Sequence, residues 1–137
     1  MKPALLLFLL LLATPAFTEE RKIDFTVAPT DAYGETFEPL CTKLDDAGKC
    51  VTKTPITLGL VCISALGNAL DADKNEDYRK KLERDELARR IATAEKTKQP
   101  IALKSEEIVL LKERVGRFWT NATLVGAVIH AIEPDAK

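Results

Sequence analysis

The stretch PITLGLVCISALGNAL, residues 55–70, decides the fold. Leu58, Val61, Cys62, Ala65 and Ala69 recur at helical spacing, and Leu60, Ile63, Leu66 and Leu70 fill the remaining sides. A helix that is apolar all round must be buried all round. It is predicted to begin at Pro55 or Thr57, to end near Leu70 and to stand at the centre of the domain. Gly59 and Gly67 lie inside it, each costing about 1 kcal/mol of helix propensity, a pattern that suggests another element approaching closely.

Three more helices follow toward the C-terminus. Residues 75–96 form a charged helix with acid-to-base pairs at i,i+4: Glu76–Lys80, Asp77–Lys81, Asp85–Arg89 and Glu86–Arg90. Each such pair adds about 0.2–0.5 kcal/mol. Leu87, Ala88 and Ile91 make its core face, while Tyr78 and Leu82 point to a different neighbour. Lys98-Gln99-Pro100 breaks the pattern. Ser105 reads as the N-cap of the next helix, with Glu106 and Glu107 favoured by the dipole in its first turn. Ile108, Leu111, Val115 and Phe118 then form a single apolar seam. After Trp119-Thr120-Asn121, a last helix runs from about Thr123 to Glu133 and stops before Pro134.

Toward the N-terminus the period changes. Ile23, Phe25 and Val27 alternate with Asp24 and Thr26, as in a half-buried strand. Asp31-Ala32-Tyr33-Gly34 and Asp46-Ala47-Gly48-Lys49 are turn sequences. Between them Thr36, Phe37 and Leu40 read as extended, with Pro39 placing that piece at an edge. Cys50-Val51-Thr52 is a third short candidate. The fold class is therefore α+β: a small N-terminal antiparallel β-hairpin or three-stranded sheet packed on about four α-helices.

The chain opens MKPALLLFLLLLATPAFTEE. Lys2, the unbroken apolar run Ala4–Ala13 and the small residues around Thr14-Pro15-Ala16 match a cleavable export signal over residues 1–16, or to residue 18 with the later cut. The run is too short to span a bilayer, which takes roughly 20 apolar residues. Residues 21–133 then form one domain, with 134–137 as a tail. Without Lys2, nineteen basic residues face twenty-one acidic ones, so no global field favours nucleic acid or an anionic membrane. No membrane association is expected once the signal is removed.

Three cysteines remain, an odd number. Cys41 and Cys50 flank a turn, and a bridge between them would close a loop of roughly ten residues and contribute about 2–3 kcal/mol; two unpaired thiols are the alternative. Cys62, inside the apolar helix, reads as a small core residue.

Chemistry-bearing motifs are weak. Asp71–Asp77 imitates the start of a calcium loop, but Glu76 stands where the sharp turn needs glycine and Leu82 where a bidentate glutamate is needed. The bases of the charged helix are interleaved with acids, as on a solvated face. Asn121-Ala122-Thr123 is a glycosylation sequon, although Asn121 or Thr120 is equally explained as a helix cap. His130, the only histidine, lies near a helix C-terminus where the dipole favours it. GxSxG, Walker A, HExxH and GxGxxG patterns are lacking. No catalytic residue, cofactor or metal site is therefore assigned.

Several stretches taken together resemble a known group. They are the Asp-Asp-Ala-Gly-Lys turn at 45–49, the run Ile56–Leu66, the helix segment Asp85–Ile91 and the segment Leu103–Gly116. Over residues 21–133 this layout resembles small proteins encoded by tailed phages and prophages. The resemblance is one of layout and residue type, and the group brings no catalytic residues to carry over. It implies a non-enzymatic accessory or assembly role, exercised by binding another protein. The leader departs from the group's pattern, whose members begin near the first strand. The expected location is secreted or periplasmic if the leader is used, and cytoplasmic if it is not.

Overall fold

The structure, a computed structural model, describes residues 19–134. The predicted signal at 1–16 and the last three residues of the tail lie outside the described residues. Two small antiparallel sheets and four helices make an α+β fold. The elements are β1 (Glu20–Ile23), β2 (Leu40–Leu44), β3 (Cys50–Thr54), α1 (Leu58–Gly67), a 3₁₀ turn (Asp71–Asn75), α2 (Tyr78–Thr97), β4 (Ile101–Lys104), α3 (Ser105–Phe118) and α4 (Ala122–Ile132).

Helix α1 is central. It packs against α2, α3 and α4, and its Leu58, Val61, Cys62, Ala65 and Leu66 join Leu87, Ile91, Ile108, Leu111, Val115, Leu124, Val128 and Ile132 in one core. Thr57 caps its start, its hydroxyl oxygen accepting from the Leu60 N–H at 3.0 Å. The next free amides are taken by the chain that follows β1: Leu58 N–H donates to the Val27 carbonyl and Gly59 N–H to the Phe25 carbonyl, each at 2.8 Å. Gly59 also explains the close approach read from the sequence. A Cβ there would lie 2.8 Å from the Glu95 carboxylate of α2, which receives the Thr57 hydroxyl and brings negative charge to the positive end of α1. Nothing crowds Gly67, which is simply the last helical residue; α1 ends there and not at Leu70.

The expected N-terminal hairpin forms from β2 and β3, while the first strand departs from expectation in its pairing. No three-stranded sheet forms among the described residues. The β1 strand pairs instead with β4, in the register Glu20 to Lys104 and Ile23 to Ile101, burying Ile23 and Leu103. It stops at Ile23 because Asp24 Oδ1 accepts from both the N–H (2.9 Å) and the hydroxyl (2.7 Å) of Thr26, turning the chain. Phe25 is still fully buried, but Val27 is 50% exposed where the alternation would have placed it inside.

The second sheet is the β2–β3 hairpin, with register shifts between Cys41 and Leu44. Its turn and the one at 31–35 share a design. Asp45 Oδ1 accepts from the N–H groups of Ala47 and Lys49, as Asp31 Oδ1 does from Tyr33 and Glu35. In each the residue three places on is a glycine with positive φ, 77° at Gly48 and 82° at Gly34.

Three local readings are also corrected. Of the four predicted pairs on α2, Asp85–Arg89 forms at 2.7 Å; Glu76 reaches Arg84, Asp77 caps α2, and Arg90 reaches Glu107. Tyr78 is 70% exposed and Leu82 is also exposed, so neither meets an internal neighbour. Ser105 is the first residue of α3 and not its cap; the Lys104 N–H is satisfied by the Glu107 carboxylate at 2.9 Å.

Candidate functional site

Two places concentrate the unusual features, and they differ in kind. One is a buried ionic cluster. Asp73, in the 3₁₀ turn, accepts Arg114 Nη1 at 2.7 and 2.9 Å, Arg84 Nη1 at 3.0 Å and the Leu70 N–H at 2.7 Å. Arg84 also holds Glu76 at 2.6 Å. Arg114 continues to the end of α1, its Nε on the Ala65 carbonyl at 3.0 Å and Nη2 on the Asn68 carbonyl at 2.6 Å. Carbonyls at a helix C-terminus have no partner within the helix, and a guanidinium suits them in geometry and in charge. Burial raises the Asp73 carboxyl. The Arg114 and Leu70 hydrogen bonds and the charges of Arg114 and Arg84 outweigh it, holding the group at about 2. Arg84 Nε is buried without a hydrogen-bond partner, the one such side-chain atom among the described residues.

The cluster links α1, α2, α3 and the connecting turn. Its two acids and two arginines balance in charge and hold one another across these elements. It is a clamp. The calcium-like stretch Asp71–Asp77 supplies both acids of that clamp, Asp73 and Glu76, and caps the start of α2 through Asp77.

The other place is the hairpin, an arm on the outside of the domain. Leu40 at its base packs against the core, but the rest of β2 and most of β3 are exposed, including Leu44 at 60% and Val51 at 54%. Cys41 and Cys50 are joined by a disulfide, with Cα atoms 5.8 Å apart. The strands carry Lys43 and Lys53 and no acidic residue, and no third strand pairs with either among the described residues. The outer edges of both strands therefore present backbone donors and acceptors to solvent.

The remaining candidates have local explanations. Cys62 is fully buried, and its thiol is pushed up to about 12 by burial and then by the nearby Glu95 charge, so it does not act as a thiolate. Asn121 Oδ1 caps α4 by accepting from Thr123 and Leu124 at 3.0 and 3.1 Å. His130 is exposed on the last turn of α4. It shares a shallow hollow with Asp31, whose Oδ1 is already engaged in its own turn. Trp119 anchors to α1 through Nε1–H to the Val61 carbonyl at 3.1 Å.

Arg84 and Arg114 were missed as site-building residues, though a signal was present. Each sits inside an apolar helix stripe, Arg84 three residues before Leu87 and Arg114 three after Leu111. A lone arginine at a core position has to find a buried acid. The cysteine bridge lies between residues that the sequence offered as a pair without deciding. The disulfide fits an oxidising compartment, and no described helix is long and apolar enough to cross a membrane. No family model, curated protein or solved structure matches the chain.

Proposed function

We propose that the protein is a non-enzymatic interaction module that docks onto another protein through the disulfide-closed β2–β3 arm. The observation that carries this reading is the arm itself, a pre-ordered hairpin with unpaired edges and exposed Leu44 and Val51. Pre-ordering removes much of the entropy cost of docking. Extended segments of a partner can add to such an edge through main-chain hydrogen bonds, with side chains setting specificity. Lys43 and Lys53 disfavour pairing of the arm with a second copy of itself, because like charges would meet. They favour an acidic and apolar extended segment of a different protein. The layout resemblance to phage and prophage proteins supports an accessory or assembly role for such docking.

The test is affinity capture with the full chain and with the Leu44→Asp/Val51→Asp variant. A partner retained by the native arm and released by the variant supports the reading. Partners retained equally by both, or none retained by either, overturn it.

A second reading, a small secreted or periplasmic binding protein, is favoured by the disulfide and by the leader sequence at 1–16. The strand β1 begins at Glu20, just beyond either predicted cut. N-terminal sequencing of the protein from its host discriminates: a start at Phe17 or Glu19 supports export, and an intact leader opposes it.

A further inference from the structure

We infer that the Cys41–Cys50 disulfide is a redox control on the arm alone, so that reduction loosens the docking element and leaves the helical domain folded. The inference deepens the docking reading and rests on it for its functional meaning.

The argument starts from where the bond lies. It joins residues nine apart, both within the β2–β3 hairpin, and ties the arm to nothing else. The buried core draws on β1, β4, the helices, Phe25 and Ile56, and contains no residue of β2 or β3; only Leu40 leans on it from the base. Helices α1 and α3 are held by burial and by the Asp73–Arg84–Arg114 clamp, which lies elsewhere. An isolated two-stranded hairpin is marginal in water. The arm's other support is its turn, built by Asp45 and Gly48, the strand ladder with its register shifts, the Leu40 contact at its base, and the Thr42 hydroxyl, 3.3 Å from the Thr52 carbonyl and 3.2 Å from the Thr54 hydroxyl. The disulfide therefore decides whether the arm is ordered, and it decides nothing about the core.

The bond is also reachable. Cys41 is exposed and Cys50 half-buried, in contrast to the fully buried Cys62. Exposed disulfides are the ones that exchange readily. The reductant is a dithiol. One of its thiolates attacks Sγ of Cys41 or Cys50, forming a mixed disulfide and expelling the other cysteine as a thiolate. Its second thiol, as thiolate, then attacks the mixed disulfide and releases the first cysteine. Two electrons pass to the protein, each released thiolate takes up a proton, and the dithiol leaves as its own disulfide. Cys62 is sealed in the core, so it does not compete for either partner.

The experiment is hydrogen exchange on the full chain, oxidised and after dithiothreitol, with thiols counted by a chromogenic disulfide reagent. Two new reactive thiols are expected. Amides of residues 40–54 should then exchange at least about 10-fold faster, while those of α1 and α3 stay within about twofold. The Cys41→Ser/Cys50→Ser variant should match the reduced protein without reductant. Acceleration of the arm below that level once both thiols are counted, or loss of protection in α1 or α3, overturns the inference. Exchange is read without any partner, so its failure is separate from failure of the docking reading. If Leu44→Asp/Val51→Asp releases a partner but reduction does not loosen the arm, docking stands and the redox control falls.

Discussion

The described residues form two two-stranded ribbons, held together in opposite ways. The β1–β4 ribbon joins segments about eighty residues apart in sequence and carries no covalent link. Its inward side chains Ile23 and Leu103 are buried in the core, and Arg90 covers the Ala102 carbonyl on its outer edge at 3.1 Å. The β2–β3 ribbon is local, nearly free of the core and closed by a disulfide. Where burial is available, four-residue strands suffice. Where it is not, a covalent bond takes its place, and the ribbon can then be exposed and still ordered.

The largest effect is expected at the clamp that holds the helices of the core which the first ribbon shares. Arg114→Ala would leave Asp73 buried with Arg84 as its one arginine, and the Ala65 and Asn68 carbonyls at the end of α1 without their donor. Breaking one partner of a buried ion pair costs about 3–5 kcal/mol. Urea unfolding should show a loss of that size, and a loss below about 1 kcal/mol would mean that the cluster relaxes into water. Next comes Leu103→Ala in β4, a fully buried side chain. Its removal should cost about 2–4 kcal/mol and lower the thermal midpoint of the whole domain, because this ribbon shares the core.

Much of the helical half was legible. Ile108, Leu111, Val115 and Phe118 mark α3 over Ser105–Phe118, and the all-round apolarity of residues 58–66 marks the central helix. Both signals are periodic and local. The β4 strand was not legible: Ile101–Lys104 follows Pro100, is four residues long and pairs with a strand some eighty residues away, so no local pattern announces it. The exposure of Val27 was hidden for a related reason. The alternation Ile23, Phe25, Val27 is intact in sequence, but the Asp24–Thr26 turn redirects the chain to place the Phe25 and Val27 carbonyls over α1. At the arm, the turn residues and the cysteine spacing were visible. Its independence of the core is a property of packing, which spacing does not encode.

Acid should weaken the clamp, with a smaller effect than removal of Arg114. The Asp73 carboxyl lies at about 2 in the fold against an ordinary value of 3.8. A depressed carboxyl contributes its stability above the unfolded value and loses it as pH falls through the folded one. The window is therefore about pH 4 down to pH 2, and the loss is about 2 kcal/mol. Unfolding free energies across that range should fall in the native protein. The fall should be smaller by about that amount in Asp73→Asn, which starts from a lower plateau; what remains comes from other carboxyls held low, such as Glu133 beside Lys112.

The smallest effect on the domain, and the most informative for the arm, is expected from Gly48→Ala. Gly48 sits at φ 77° in the hairpin turn, and a Cβ there meets no atom within 4 Å. The penalty is therefore one of backbone conformation alone, about 1–2 kcal/mol for a side chain in the left-handed region. That strain falls on a segment that shares almost nothing with the core. The thermal midpoint should stay within about 1 °C, whereas amide exchange in residues 40–54 should quicken by about 5- to 30-fold, the same energy read locally. A drop of several degrees in the midpoint would show that arm and core unfold together, and the contrast between the two ribbons would fail. With the disulfide intact, the faster exchange should also stay below that of the reduced protein, because the cross-link still limits how far the two strands can separate.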